Sequence, residues 1–157
     1  MRPFIERCCG RLHASSIAEE LRHDSGLYGQ AGSGLRIVTR MAVTSSSNLE
    51  ISVDQLGDEA IVRPSGRINV DSSPDLRDCL LAILCAEPLP RAITVDLAGV
   101  PYIETSGIAT LIEALRIARH HQTIFCLRGL GGSALRLFEV TGVLALFEAS
   151  NCGQKAP

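Results

Sequence analysis

The stretch YIETSGI, from Tyr102 to Ile108, contains an acid, two neighbouring hydroxyls and a glycine. A hydroxyl on an accessible loop can accept a phosphoryl group, which adds about −1.5 to −2 charges and strong acceptor oxygens at one point. The hydroxyls of Thr105 and Ser106 could equally cap a helix, because such side chains accept hydrogen bonds from the unpaired N–H groups of a first helical turn. Spacing alone favours the plain cap, so the neighbouring elements must decide between the two roles.

Nucleophilic catalysis by Ser106 would need a base and an oxyanion hole, and the sequence indicates neither. The run ETSGI is not the GxSxG turn of hydrolases. His120 and His121 lie at the far end of the helix that begins beside Ser106, about 20 Å away at roughly 1.5 Å per residue. We therefore expect a protein that is not an enzyme.

A glycine-rich run, RGLGGS at residues 128–133, precedes a predicted helix and could cradle a phosphate group. It lacks the Lys-Ser/Thr ending of a P-loop, so the motif is weak. A turn between a strand and a helix is the favoured interpretation. A nucleotide-binding module stays open as the rival hypothesis.

Composition narrows the classes of partner and cofactor. The chain has 157 residues and a formal net charge of −2, which provides no electrostatic footprint for nucleic acid or for an anionic membrane. No apolar run approaches the roughly 18 residues of a membrane span, and we expect a cytoplasmic protein. The six cysteines form no CxxC pair and have no histidine at metal-ligand spacing. We expect no metal and no cofactor, and a partner that is a protein or a small molecule.

The chain divides near residue 48. Residues 1–47 mix charges with glycines and a serine run without sustained periodicity, which predicts a mostly disordered N-terminal extension. Residues 48–150 carry the periodic pattern of one domain, and residues 151–157 form a C-terminal tail.

The domain opens with strand signals and a helix. Alternating apolar residues on either side of a Gly57-Asp58 turn predict a β-hairpin, and Pro64 and Gly66 predict an edge or a bend in its second strand. A hydroxyl cap and a proline at Ser72-Ser73-Pro74 then start a helix that ends near Glu87. Its apolar stripe consists of Leu76, Cys79, Leu80, Ile83 and Leu84, in which a reduced Cys79 thiol serves as a small hydrophobe.

A strand, a helix and a second strand follow in close succession, which predicts a right-handed parallel crossover. The first strand covers residues 91–97, and a loop covers residues 98–102. The helix runs from about Ser106 to His120, and the second strand lies at residues 123–127.

A third helix is predicted from Ser133 to Val140, with Ser133 as its cap and Gly142 just past its end. Phe147 belongs to a final short strand or helix. Together these elements predict an α/β fold, a mixed sheet of four to five strands covered by helices. In such a sheet YIETSGI lies past the carboxyl end of a strand and at the start of a helix, where open α/β sheets tend to place their sites.

These elements also carry a family resemblance. The run ITVDLAGVPYIETSGIATLIEALRIAR, followed by LRLFEVTGVLALFE, resembles the STAS domain, in particular that of bacterial anti-sigma factor antagonists. Upstream, IVRPSGRINVDSSPDLRDCL is similar to the family's early strand, glycine and first helix, so the resemblance covers about residues 49–149. It implies a STAS-like fold and a cytoplasmic protein that binds an anti-sigma factor, itself a serine/threonine kinase, and so frees a sigma factor.

The resemblance further implies a switch in the loop between the strand and the helix. In the family, an acid precedes two hydroxyls and a glycine, and phosphorylation of the first hydroxyl turns partner binding off until a phosphatase restores it. On this chain the acid is Glu104, the first candidate for phosphorylation is Thr105, and the second is Ser106. Where the family often has GELD, this chain has GRIN at residues 66–69, so an amide at Asn69 replaces a carboxylate near the loop.

We expect the partner-binding surface to combine this loop, including Asn69, Glu104 and Gly107, with the exposed side of the following helix. Gly107 would let a partner's backbone come close. The residues named on the helix are Thr110, Glu113 and Ile117. The alternative is a STAS-type nucleotide-sensing or scaffold module whose loop is never phosphorylated.

Overall fold

The structure is a computed structural model that describes residues 36–39 and 48–148. The strands in these ranges are β1 (Arg36–Thr39), β2 (Leu49–Leu56), β3 (Glu59–Ile68), β4 (Ala92–Asp96), β5 (Gly99–Ile103) and β6 (Ile124–Arg128). The helices are α1 (Ser73–Leu84), α2 (Thr105–His120), α3 (Gly132–Val140) and α4 (Leu144–Glu148).

All the strands belong to one mixed sheet with the order β1-β2-β3-β4-β6, and β5 pairs with β3 off that path. The pairs β1–β2 and β2–β3 are antiparallel, whereas β3–β4, β3–β5 and β4–β6 are parallel. The predicted mixed sheet and the crossover through α2 are therefore confirmed. β1 is a further strand that the sequence pattern does not predict, and the rest of the predicted extension and the tail lie outside the described residues.

The hairpin between β2 and β3 forms as predicted. Gly57 takes a positive φ of 59° in its turn, which glycine adopts at low cost. The bend expected near Pro64 and Gly66 is a bulge, because β3 runs on to Ile68 and only its register with β5 shifts between Ser65 and Arg67. A Cβ on Gly66 would lie 2.1 Å from the carbonyl oxygen of Asn48, so a side chain has no room there.

The loop predicted over residues 98–102 is wrong, because Gly99–Ile103 form β5. Gly99 and Pro101 are the reason that the sequence does not predict this strand, since both residue types are depleted in strands. The strand depends on its partner instead: Arg67 pairs with Tyr102 and Ile68 with Ile103, in parallel. This pairing places the end of β3 beside the stretch that leads into α2.

The helix boundaries move by small amounts. α1 ends at Leu84, earlier than predicted, and α2 begins at Thr105, one residue before the expected start. The cap predicted for α3 is wrong, because Gly131 occupies the N-cap position and the Ser133 hydroxyl donates to the Pro101 carbonyl at 3.0 Å. Phe147 lies in α4, so of the two predicted options, a short strand or a short helix, the helix is confirmed.

A single hydrophobic cluster fills one face of the sheet and contains buried side chains from all four helices. Phe147 joins α4 to this cluster, with its ring centroid 5.9 Å from that of Phe138 and 6.3 Å from that of Phe125. Cys79 is a buried free thiol within the cluster. Burial, with a smaller effect of Asp78, raises the pKa of the Cys79 thiol to about 12, so the thiol packs as a neutral apolar group.

The opposite face of the sheet carries a row of alternating charges from four adjacent strands. Arg63 on β3 donates to Asp54 on β2, and its Nε lies 4.0 Å from Oδ2 of Asp96 on β4. Arg128 on β6 donates to the same oxygen at 2.9 Å. Burial acts to raise the pKa of Asp96, but hydrogen bonds from the Ala98 N–H and Arg128, with the charges of Arg128 and Arg63, outweigh burial and lower it.

Candidate functional site

The loop between β5 and α2 is short and tied to β3. The helix begins immediately after Glu104, which takes the N-cap position with an extended backbone. The N–H of Glu104 donates to the Ile68 carbonyl at 2.8 Å, and its own carbonyl accepts from the N–H groups of Gly107 and Ile108 at 3.0 and 3.2 Å. These bonds hold the start of α2 against the end of β3.

Neither hydroxyl of the loop caps the helix, so the prediction of a Thr or Ser cap is wrong. Glu104 takes the cap position instead, although its side chain makes no capping hydrogen bond to the described residues. Thr105 is the first helical residue and its side chain is exposed. Ser106 is the second, and its Oγ is buried with no hydrogen-bond partner in the part of the chain that the structure describes. An enzyme approaching from solvent therefore reaches the hydroxyl of Thr105 more readily than that of Ser106.

Gly107 is buried for an internal reason. A Cβ at this position would lie 2.5 Å from Cγ2 of Ile68 and 2.8 Å from Cγ1 of Ile103, both of which are core side chains. Gly107 is therefore required for packing inside the domain, whereas the sequence predicts that it lets a partner's backbone come close. α2 can lie this close to β3 and β5 only because residue 107 has no side chain.

Asn69 holds the turn between β3 and α1. Its Oδ1 accepts from the N–H groups of Asp71 and Ser72, each at 3.0 Å. Its own N–H donates to Oγ of the buried Ser72 at 3.0 Å, and that hydroxyl donates to the Arg67 carbonyl at 2.9 Å. The side chain of Asn69 is therefore engaged inside the turn, next to the Ile68 carbonyl that anchors Glu104.

The exposed placement expected for three residues of α2 is wrong. Thr110 and Ile117 are only 7% and 4% exposed, because α2 packs against α1 as well as against the sheet. Thr110 donates from Oγ1 to the Ser106 carbonyl at 3.1 Å. Glu113 is half-buried and accepts two hydrogen bonds from Arg77 of α1, at 2.7 and 2.8 Å. As folded, none of the three presents a free side chain to a partner.

A group of exposed residues that the sequence pattern does not indicate lies beside the loop. The guanidinium carbon of Arg67 lies 5.0 Å from the centroid of the Tyr102 ring, which is 39% exposed. Val70, in the turn that Asn69 holds, is 66% exposed. No periodic pattern marks these residues, because the pairing of β3 with β5 brings them to one place.

The other chemistries considered for the chain do not assemble around this loop. His120 is the last residue of α2 and His121 follows it, so both lie at the opposite end from Ser106, roughly 20 Å away at 1.5 Å per residue. Gly129, with φ 73°, packs where a Cβ would come within 2.6 Å of the Ala98 nitrogen, as a tight turn requires. Among the residues described, no cluster of His, Cys, Asp and Glu could hold a metal, and no helix could span a membrane.

Known proteins share sequence and fold with this chain. The family profile of the STAS domain matches residues 50–155. The anti-sigma-B factor antagonists of Listeria monocytogenes and Listeria innocua are each 26% identical to this chain over 105 residues, which is 66% of this chain and 90% of each relative.

Two solved structures show the same fold. An anti-sigma factor antagonist from Mycobacterium paratuberculosis superposes with a TM-score of 0.59 at 20% identity, over 66% of this chain and 86% of that one. A sulfate transporter family protein from Wolinella succinogenes superposes with a TM-score of 0.52 at 18% identity, over 58% of this chain and 72% of that one. The fold is thus found in proteins with different names, so the fold alone does not identify the function.

Proposed function

The chain belongs to the STAS domain family, and from that premise we propose that it is an anti-sigma factor antagonist, switched off by phosphorylation of Thr105. In this proposal it binds an anti-sigma factor that is itself a serine/threonine kinase, and so frees a sigma factor. The observation that carries the proposal is the difference between the two hydroxyls at the start of α2. Thr105 is exposed, whereas Oγ of Ser106 is buried.

A phosphate on Thr105 would be compatible with the folded domain. The first residues of any helix have N–H groups without intrahelical acceptors, and the positive end of the helix dipole favours a nearby anion. Thr105 is the first residue of α2, so the added dianion would lie against these groups. We therefore expect phosphorylation to leave the stability of the domain unchanged or slightly raised.

The penalty would fall on binding. The phosphate would lie next to Glu104, which already contributes one negative charge to the loop. A partner surface complementary to the neutral hydroxyl would then face a bulky dianion. The partner would either lose contact with the loop or have to remove water from the phosphate, and both outcomes weaken binding. A loss of about 3 kcal/mol is enough to weaken an affinity by roughly a hundredfold. A phosphatase that removes the group would restore binding.

The experiment uses the full chain and each anti-sigma factor encoded in the same genome. Binding is measured by calorimetry without nucleotide, and MgATP is then added and the intact mass of the chain recorded. We expect one partner to bind and to add one phosphate to the wild type and to Ser106→Ala, but none to Thr105→Ala. Phosphate on Thr105→Ala but not on Ser106→Ala would refute the site assignment.

The same experiment separates the alternative function, a nucleotide-sensing or scaffold module. The same fold occurs in a sulfate transporter family protein, so the fold alone does not distinguish the two functions. Tight nucleotide binding by the chain alone, with neither a complex nor an added phosphate for any anti-sigma factor, would support the alternative and overturn the proposal.

A further inference from the structure

Arg67 is an exposed cation that is held in a defined position and has no acidic partner among the described residues. The arginines at positions 63, 77 and 128 form ion pairs in the described part of the chain, whereas Arg67 lies within ion-pair distance of no described carboxylate. It stacks instead over Tyr102, 5.0 Å from the ring centroid. An arginine over an aromatic ring keeps its hydrogen-bond donors available at the rim, while the stacking limits its rotamer freedom.

Val70 extends this feature with apolar surface. It is 66% exposed although it sits in a turn that Asn69 and Ser72 hold by four hydrogen bonds. Val70 is three residues from Arg67, and Tyr102 is three residues from Thr105. Three trans peptide units span at most about 11 Å between Cα atoms, so the backbone of Val70 lies within that distance of Arg67, and the backbone of Thr105 within that distance of Tyr102.

We infer that Arg67, Tyr102 and Val70 form a docking surface that determines partner specificity. This docking surface receives an acidic segment of the anti-sigma factor. A carboxylate of that segment pairs with the Arg67 guanidinium, and an adjacent apolar side chain packs on Tyr102 and Val70. The inference rests on the proposed function, which it deepens by naming the chemistry of the partner.

Charge complementarity is the reason for an acidic occupant. An arginine fixed over a ring loses little conformational entropy on binding, and arginine and tyrosine are the residue types that dominate binding energy at interfaces. The inferred surface would thus explain which partner binds.

The test measures the affinity of the full chain for the anti-sigma factor that binds it in the preceding experiment. Arg67→Ala should weaken binding by about 10- to 30-fold, and Arg67→Glu by about 100-fold or more. Arg67→Lys should keep most of the salt dependence of the association rate, which Arg67→Ala should flatten. Val70→Ala should weaken binding by about fivefold.

Two matched controls test whether these effects are local. Arg91 is exposed and precedes β4, beside the start of β3, roughly 26 Å from Arg67 at about 3.3 Å per strand residue. Val140, 80% exposed on α3, matches Val70. Arg91→Glu and Val140→Ala should each change the affinity less than about twofold, and circular dichroism melts should show that every variant is folded.

The outcomes separate the inference from the proposed function. If the wild type binds and Arg67→Glu binds equally well, or if Arg91→Glu weakens binding as much, the inference is overturned while the proposed function stands. If no anti-sigma factor binds the wild type, both fail. Recovery of Arg67→Glu binding by a Glu→Lys or Asp→Lys change in the partner would identify the paired carboxylate.

Discussion

Replacing Gly107 with alanine should destabilise the domain, although alanine is the better helix former. The new Cβ would lie 2.5 Å from Cγ2 of Ile68 and 2.8 Å from Cγ1 of Ile103. Ile68 is fully buried and Ile103 is 3% exposed, so neither can move into solvent. Overfilling a packed core costs about 1–3 kcal/mol, and helix propensity returns up to about 1 kcal/mol.

The expected net loss is therefore about 1–2 kcal/mol of unfolding free energy. For a domain of this size, that corresponds to a fall in Tm of about 5 to 15 °C. Urea unfolding followed by circular dichroism measures the loss, and Ser106→Ala in the same helical turn controls for a general effect of added helix propensity.

A double-mutant cycle shows whether the clash is the cause. Ile68→Ala alone should cost about 2–5 kcal/mol because it leaves a cavity. In that background Gly107→Ala should cost less than in the wild type, since the nearer of the two atoms that it strikes is gone and only Cγ1 of Ile103 stays within 2.8 Å. A Gly107→Ala protein as stable as the wild type would show that α2 can move away from the sheet, and the reasoning from close packing would be refuted.

Three other predictions concern stability. The pKa of Asp96 in the folded protein lies below the ordinary 3.8. The stabilisation that its ionised carboxylate provides is therefore complete above that pH and is lost as the pH falls through the folded pKa. Asp96→Asn should thus cost about 1 kcal/mol at pH 7, and urea titrations should show the difference from the wild type shrinking below pH 3.8. Asn69→Ala should lower the unfolding free energy by about 1–2 kcal/mol, whereas Asn69→Asp should lower it much less, because a carboxylate accepts the same two N–H bonds. Equal losses for the two variants in urea unfolding would contradict this role. Ser106→Ala should leave the unfolding free energy unchanged or raise it by up to about 1 kcal/mol, because the hydroxyl it removes is buried and unpaired; a clear fall in thermal stability would mean that Oγ has a partner.

Local signals in the sequence predicted the elements that depend on neighbouring residues. The Gly57 turn, the start of a helix at Ser72-Ser73-Pro74, and the alternation of strand with helix each report on a few adjacent positions. The hydroxyl cap predicted there is wrong, because Ser72 occupies the N-cap position but its side chain makes no capping hydrogen bond to the described residues. The sequence pattern does not predict β5, because Gly99 and Pro101 have poor strand propensity and the strand is stabilised by its pairing with β3. The apolar stripe of α2 predicts one packed side for this helix, and so an exposed face for Thr110 and Ile117, whereas α1 covers a second side.

Residue types and spacing alone indicate that an acid and two hydroxyls stand at the start of a helix that follows a strand, in a chain that resembles one family. The exposure of Thr105, the burial of Oγ of Ser106 and the packing role of Gly107 follow from the three-dimensional fold. The cause is that the environment of the loop comes from the end of β3. The contact of Glu104 with Ile68 and the stacking of Arg67 on Tyr102 join residues far apart in the chain, and residue types and spacing along the chain do not encode such contacts.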